Sequence, residues 1–288
     1  MTFSHGCTRR NLIKHGVVAA ASLSLIGSSA IAAGDANVPA NDRWRGLKIG
    51  VASYTLRTMP LDAALKAIRR VGLQYVSIKD FHLPMKSTPD QRREVAAKCK
   101  AAGVTPLSCG VIYMKSEPEA RQAFEYARDT GISTIVCAPT PDLIPALDKM
   151  VKEFDMRLAI HNHGPESKEF RSPLDVWPAI EKYDKRIGLC IDIGHTLRVG
   201  VNPAEAILKC RERLYDVHVK DISKADPKGG CVEAGRGVMD FRAVFQALLA
   251  IKYTDLIGIE YEKDGNDPLP GLSETIGYMK GILANIQA

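Results

Sequence analysis

RIGLCIDIGHTLRVGVNPAEAILKCRERLYDVHVKD, residues 186–221, is the stretch whose reading decides the fold. An apolar run over 187–192 ends on the carboxylate of Asp192, with His195 just beyond. A helix-like segment over 203–212 follows, and a second run over 215–220 ends on His218, Lys220 and then Asp221. Two apolar strands joined by a helix read as parallel neighbours. Both deliver ligand-type side chains to the same end, which is where parallel α/β folds keep their chemistry.

Outward from this stretch the same unit recurs: a short β-branched run, a polar or Gly/Pro turn, then an amphipathic helix. Strand-like runs cover 47–53, 75–79, 105–109, 134–137, 157–161, 187–192, 215–220 and 256–260. Helical periodicity covers 61–71, 89–102, 117–130, 142–154, 173–182, 203–212, 240–251 and 272–285, with Pro89, Pro173 and Pro203 at first-turn positions. Eight strands alternating with helices predict an α/β protein, a single-domain (β/α)8 TIM barrel over 34–288. No glycine-rich phosphate loop follows the first strand, as a dinucleotide fold would require.

Residues 1–33 stand apart from this pattern. Thr8, Arg9, Arg10, Asn11, Leu12, Ile13 and Lys14 look like a twin-arginine export signal, and an uncharged run over 16–33 follows, with Ala30 and Ala32 spaced as at a cleavage site. That run is rich in Ala, Ser and Gly, which favours a cleaved signal over a retained membrane anchor. The expected location is the periplasm, with no stable membrane association after cleavage. The whole chain carries a formal +6, but removing Arg9, Arg10 and Lys14 leaves 36 Lys and Arg against 33 Asp and Glu, or +3. The basicity is partly the signal, and nothing points to a nucleic-acid partner. Cys109, Cys137 and Cys190 sit in apolar runs as small hydrophobes, no CxxC pair occurs, and no disulfide framework is expected.

Beyond residue 33 the histidines are His82, His161, His163, His195 and His218, and every one falls at or just past the end of a strand-like run. A lone histidine is ordinarily a packing residue; a whole set in one layer points to a site. Asp192 closes an otherwise apolar strand, where a carboxylate must be ion-paired or bound to a cation. Period-two alternation sends His218 and Lys220 to one face, away from Val217 and Val219. Glu260 ends its strand as Asp192 does, while Glu262 reads as a supporting or surface group. His161 and His163 share a face, so either could ligate while the other meets substrate. Two histidines, an aspartate and a glutamate suit Mn²⁺, Zn²⁺, Co²⁺ or Fe²⁺ better than Mg²⁺ or Ca²⁺. Gly235-Arg236-Gly237 is either an ordinary turn or a flexible loop presenting Arg236 to a polar substrate.

IDIGHT (191–196), DVHVKD (216–221), GRGVMDF (235–241) and LIGIEYE (256–262) resemble the xylose-isomerase-like superfamily of sugar isomerases and epimerases, whose relatives include inosose dehydratase and lyases of 3-keto-glycosides. The resemblance covers essentially all of the chain after the signal. It implies a barrel with one divalent metal held by Glu, Asp, His and Glu. The last three map onto Asp192, His218 and Glu260, and His161 stands where the first Glu would be. It further implies a carbohydrate substrate and His195 as a substrate or metal contact; from their own positions, His82 at a strand end and Arg236 in its glycine turn are expected as substrate-side groups. Glu260 would be the base, with His163 or Lys220 as acid, for isomerisation through an enediolate or for β-elimination from a keto-glycoside. A homo-oligomer is compatible with all of this. A nuclease related to the apurinic-site endonucleases would need further histidines on strands two and three. A non-catalytic sugar- or metal-binding protein is the remaining class.

Overall fold

A computed structural model describes residues 42–287; the export segment expected over 1–33 lies outside the described residues. The barrel strands are β1 (Lys48–Ala52), β2 (Tyr75–Ile78), β3 (Thr105–Met114), β4 (Thr134–Pro139), β5 (Arg157–His161), β6 (Ile187–Asp192), β7 (Leu214–Val219) and, after a small antiparallel pair of β8 (Asp221–Ile222) and β9 (Cys231–Val232), β10 (Leu256–Ile259). They close in the order β1-β10-β7-β6-β5-β4-β3-β2, each paired in parallel with its neighbours. The expected (β/α)8 barrel is the fold.

Helices α1 (Leu61–Arg70), α2 (Pro89–Ala101), α3 (Glu117–Thr130), α4 (Ile144–Phe154), α5 (Pro173–Ile180), α6 (Ile193–Arg198), α7 (Pro203–Lys209), α8 (Phe241–Ala250) and α9 (Leu269–Ala284) lie between and after the strands. Several starts are fixed by local chemistry. Thr88 and Gln91 form a reciprocal capping box with Pro89 in the first turn of α2, and the Asn202 side chain accepts from Ala204 and Glu205 N–H to cap α7. Among the described residues no helix is long and apolar enough to cross a membrane.

Strand alternation divides the core in two. Leu189, Ile191, Val217, Val219, Ile257 and Ile259 face outward into the large apolar cluster shared with the helices. Inside the barrel a smaller cluster, Val111, Val136, Ala159 and Cys190, fills the layer beneath the site. Arg157 closes the other end, paired with Asp255 at 2.7 Å, its guanidinium 4.8 Å from the centre of the Tyr215 ring.

Two departures from the sequence reading matter for function. β3 continues to Met114, because Gly110 is an irregularity inside the strand rather than its end. Gly110 has φ +135, a β-carbon there would lie 2.0 Å from Val136 O, and the pairing to β4 resumes at Ile112. This carries Tyr113 to the barrel mouth. Directly after β6 the short helix α6 forms, capped by Asp192, whose Oδ1 accepts from His195 N–H at 2.9 Å.

The segment after β7 is pinned by Asp221. This buried carboxylate accepts from the N–H groups of Ile222, Gly235, Gly237 and Met239 at 2.8–3.0 Å. Gly237 passes so close that a β-carbon would lie 2.2 Å from Asp221 Oδ1, which explains the glycine. The Gly-Arg-Gly run is therefore a cradle for a carboxylate of its own chain. Asp221→Ala would strand these N–H groups, and we expect a loss of about 2–3 kcal/mol in urea unfolding, with faster proteolysis confined to the 223–239 segment. Unchanged stability and cleavage would contradict this role.

Candidate active site

The strand register brings the predicted ligands together. Asp192 pairs with His218, His218 with Gly258 two residues before Glu260, and His161 with Cys190 two residues before Asp192. All four side chains therefore project inward from the C-terminal ends of β5, β6, β7 and β10. His161 Nε2 lies 3.1 Å from His218 Nδ1 and 3.5 Å from Asp192 Oδ2, and His218 Nδ1 lies 3.4 Å from Glu260 Oε2. One ligand-type atom from each of the four falls within 4.8 Å of the others, and all four residues are buried.

Lys220 stands among the acids. Its Nζ is 3.0 Å from Asp192 Oδ2 and 2.8 Å from Glu260 Oε2, and it also contacts Glu262. The contact to Asp192 lacks hydrogen-bond angles, so Asp192 Oδ2, which faces the other three groups, is buried without a hydrogen-bond partner. A buried carboxylate oxygen without a partner calls for a ligand. One ammonium facing three carboxylates also leaves negative charge in excess, the condition a cation satisfies. The nitrogen/oxygen donor set fits a borderline divalent ion held by His161, Asp192, His218 and Glu260.

The same charges set the protonation states. Burial works against ionising Asp192 and Glu260, but Lys220 and the histidines overcome it and hold both well below the usual carboxylate range. The carboxylates in turn hold Lys220 well above an ordinary lysine, against the effect of burial. His218 is raised, since Glu260 outweighs its desolvation. The other histidines lose that contest. Burial pulls His161 and His195 down to about 4 and His163 down to about 3, so all three are neutral rings at neutral pH.

The cluster opens into a cavity of about 550 Å³ lined by His161, His163, His195, Glu260 and Glu262, with Tyr54, Lys79, Phe81, Met85 and Tyr113 above. His163 stacks on Tyr113 with ring centres 5.5 Å apart and lies 4.4 Å from His161. His195 Nδ1 is 3.2 Å from Arg198, which a carboxylate of Glu166 anchors. Asn162, between the two histidines, turns away: its side chain bonds Asp192 N and Thr196 Oγ1, tying the end of β6 to that of β5.

Two expected site residues are not brought here. His82 is buried with Nδ1 3.0 Å from Ser53 Oγ and Nε2 3.2 Å from Met59 O, a packing histidine with both nitrogens occupied. Arg236 points to solvent and pairs with Glu274 on α9. Glu262, expected to be peripheral, lines the cavity and contacts Lys220. Sequence reasoning missed Tyr54, Phe81 and Tyr113. Tyr113 follows a glycine that reads as a strand end, and Phe81 has no periodic signal in the loop between β2 and α2.

The model of the "Xylose isomerase-like TIM barrel" family matches residues 65–282. The chain belongs to that family. Among curated relatives, inosose dehydratase of Clostridium botulinum (strain Eklund 17B / Type B) is 26% identical over 147 residues, 46% of this chain and 47% of that protein. The chain spans about half the length of the curated relatives it matches. Of solved structures, IolI protein with a bound zinc atom superposes with TM-score 0.70 at 14% identity, covering 84% of this barrel chain and all of the other. The 3-keto-D-glucoside 4-epimerase YcjR of E. coli, in its apo form, superposes with TM-score 0.67 at 17% identity, covering 82% and 99%.

Below the cluster, Asp216 faces the barrel interior and accepts from Ser108 Oγ across it at 2.5 Å, its Oδ1 buried without a partner. Burial raises its carboxyl to about 7. The folded barrel thus keeps this proton up to about pH 7, whereas an unfolded aspartate releases it near 4, so stability falls as pH rises through that interval. Asp216→Asn is expected to flatten this part of the Tm-against-pH curve and to exceed the parent in stability at pH 8, on the order of a few kcal/mol. Parallel curves for the two proteins would refute the assignment.

Proposed function

We propose that this chain is a divalent-metal-dependent enzyme that isomerises or epimerises a carbohydrate or keto-sugar through an enediolate. The observation that carries the reading is the convergence of His161, Asp192, His218 and Glu260 on one buried point at the floor of an open cavity. The names of its relatives, an inosose dehydratase and a 3-keto-glucoside epimerase, support a sugar substrate. A divalent ion bound by the four residues would supply Lewis-acid polarisation of the substrate carbonyl.

The chain's own groups divide the remaining work. Glu260, ionised at neutral pH, takes the proton from the carbon next to the carbonyl; the C–H electron pair becomes the enediolate. Lys220, cationic and fixed beside Glu260, neutralises the negative charge that develops on oxygen. His163 and His195 are neutral and line the same cavity, where they orient substrate hydroxyls. With His163 unprotonated and Lys220 bound tightly to its proton, neither makes an efficient acid. For isomerisation Glu260 both removes the proton and returns it to the neighbouring carbon on the same face of the sugar, the adjacent hydroxyl proton passing to the former carbonyl oxygen, without a second glutamate at the His161 position; epimerisation would instead need the proton returned from the opposite face.

A second reading, β-elimination, has its own support in the dehydratase relatives: the same enediolate expels a substituent from the next carbon. Export by the twin-arginine-type segment would bring either activity to free sugars and glycosides of the periplasm rather than to cytoplasmic sugar phosphates.

Chelation is expected to abolish activity and Mn²⁺ or Co²⁺ to restore it, and Glu260→Gln to lower kcat by about 10²–10⁴-fold. Full activity in metal-free protein would sink the proposal. Solvent deuterium incorporated without loss of a substituent identifies isomerisation; release of water or an aglycone identifies elimination.

A further inference from the structure

Arg198, at the end of α6, has every terminal N–H accounted for. Nη1 donates to Glu166 Oε2 at 3.0 Å and lies 3.2 Å from His195 Nδ1; Nη2 donates to the other Glu166 oxygen and to Pro227 O at 2.6 Å. The paired contacts to Glu166 fix the plane of the guanidinium, so the second Nη1 hydrogen is left directed at the imidazole. The Arg198 side chain is only 12% exposed, and water competes little for that hydrogen.

A guanidinium has five N–H donors and no acceptor. His195 Nδ1 can therefore meet it only with a lone pair; a proton on Nδ1 would set two donors against each other at 3.2 Å. The ring hydrogen then sits on Nε2. Turning the ring over would face a C–H to the guanidinium and lose the bond. The ring has little room to drift either. A β-carbon on Gly164, which has φ +69, would lie 3.0 Å from His195 Nδ1 and 3.2 Å from His195 Cβ, so the glycine lets the turn after β5 close against the ring. Nε2 has no partner among the described residues yet is not sealed in, and the ring lines the cavity with Glu260.

We propose that Arg198 is a positioning residue that holds His195 as its Nε2–H tautomer, making this imidazole a hydrogen-bond donor to an acceptor oxygen of the substrate and not a base. This rests on the carbohydrate reading above and sharpens it. An uncharged donor suits a carbonyl oxygen that gains negative charge as the enediolate forms, and the proton never leaves Nε2, so proton removal falls to Glu260.

The tautomer can be read without turnover from ¹⁵N-labelled histidine rings in the full chain, metal-free and zinc-loaded, with His195→Gln assigning the signal. At pH 7 the His195 ring is expected to show one neutral tautomer, with Nε2 protonated and Nδ1 bare. Arg198→Met, which keeps an unbranched stem without the donor, should draw the two nitrogen shifts together as both tautomers become populated; Arg198→Lys, which keeps a donor, should restore the separation. A proton on Nδ1, a doubly protonated ring or a zinc-bound His195 nitrogen in the parent protein would each overturn the proposal, whether or not any variant folds. An unchanged pattern in Arg198→Met, or equal loss in Arg198→Lys, would do the same, since packing around the ring and not donation to it would then set the proton. These outcomes leave the carbohydrate reading standing; that reading fails on its own test, full activity in metal-free protein.

Discussion

The site depends on one contact set, the Lys220 ammonium lodged among Asp192, Glu260 and Glu262. An isolated ion buried at the floor of a barrel would cost many kcal/mol and would neutralise instead. Here each charge justifies the other. Asp192 and Glu260 keep their protons off because the ammonium is near, and the ammonium keeps its proton because the carboxylates are. The balance is incomplete: negative charge remains in excess, it raises His218, and Asp192 Oδ2 is left without a hydrogen bond. A protein that wanted only stability would do better with apolar residues of similar volume. Retaining an unbalanced acidic cluster under an open cavity makes sense when a cation and a substrate complete it.

The barrel makes the cluster tolerable by separating tasks along each strand. On β7, Val217 and Val219 face the helices and supply burial, while Asp216, His218 and Lys220 face inward. A one-residue slip would send all five to the wrong side. Register is therefore as important as composition, and the ties that hold it are polar. Asn162 clamps the end of β6, and Asp221 gathers the segment after β7. Neither side chain lines the cavity, yet they fix where Asp192 and Lys220 sit.

This division accounts for what is legible in the sequence. The candidate ligands stand out because each lies at the end of an apolar strand, where a carboxylate or imidazole has little to do except pair with a charge or bind a ligand. Gly258 and Gly188 do not obscure their strands, since the surrounding residues are strongly apolar. The loops are less legible. His82 ends a strand-like run as the site histidines do, but Ser53 and Met59 take both its nitrogens, and only tertiary placement shows that. Gly235-Arg236-Gly237 resembles a substrate loop because glycine flexibility serves any close backbone approach; here the approach is to Asp221. Gly110 reads as a stop, although a positive-φ glycine can equally sit inside a strand.

That last difference reaches the chemistry. Had β3 ended at Cys109, Tyr113 would not reach the mouth of the barrel. Its continuation to Met114 places Tyr113 on His163. The reacting groups lie on β5, β6, β7 and β10, whereas the aromatic wall comes from β1, β2 and β3 and the turns after them. Tyr113 joins the two halves by stacking on His163. The half that carries Asp192, His218, Lys220 and Glu260 holds charges that must balance one another, so a change in any member disturbs the rest. The rings of Tyr54 and Phe81, on the other half, shape the cavity while adding no charge to that balance.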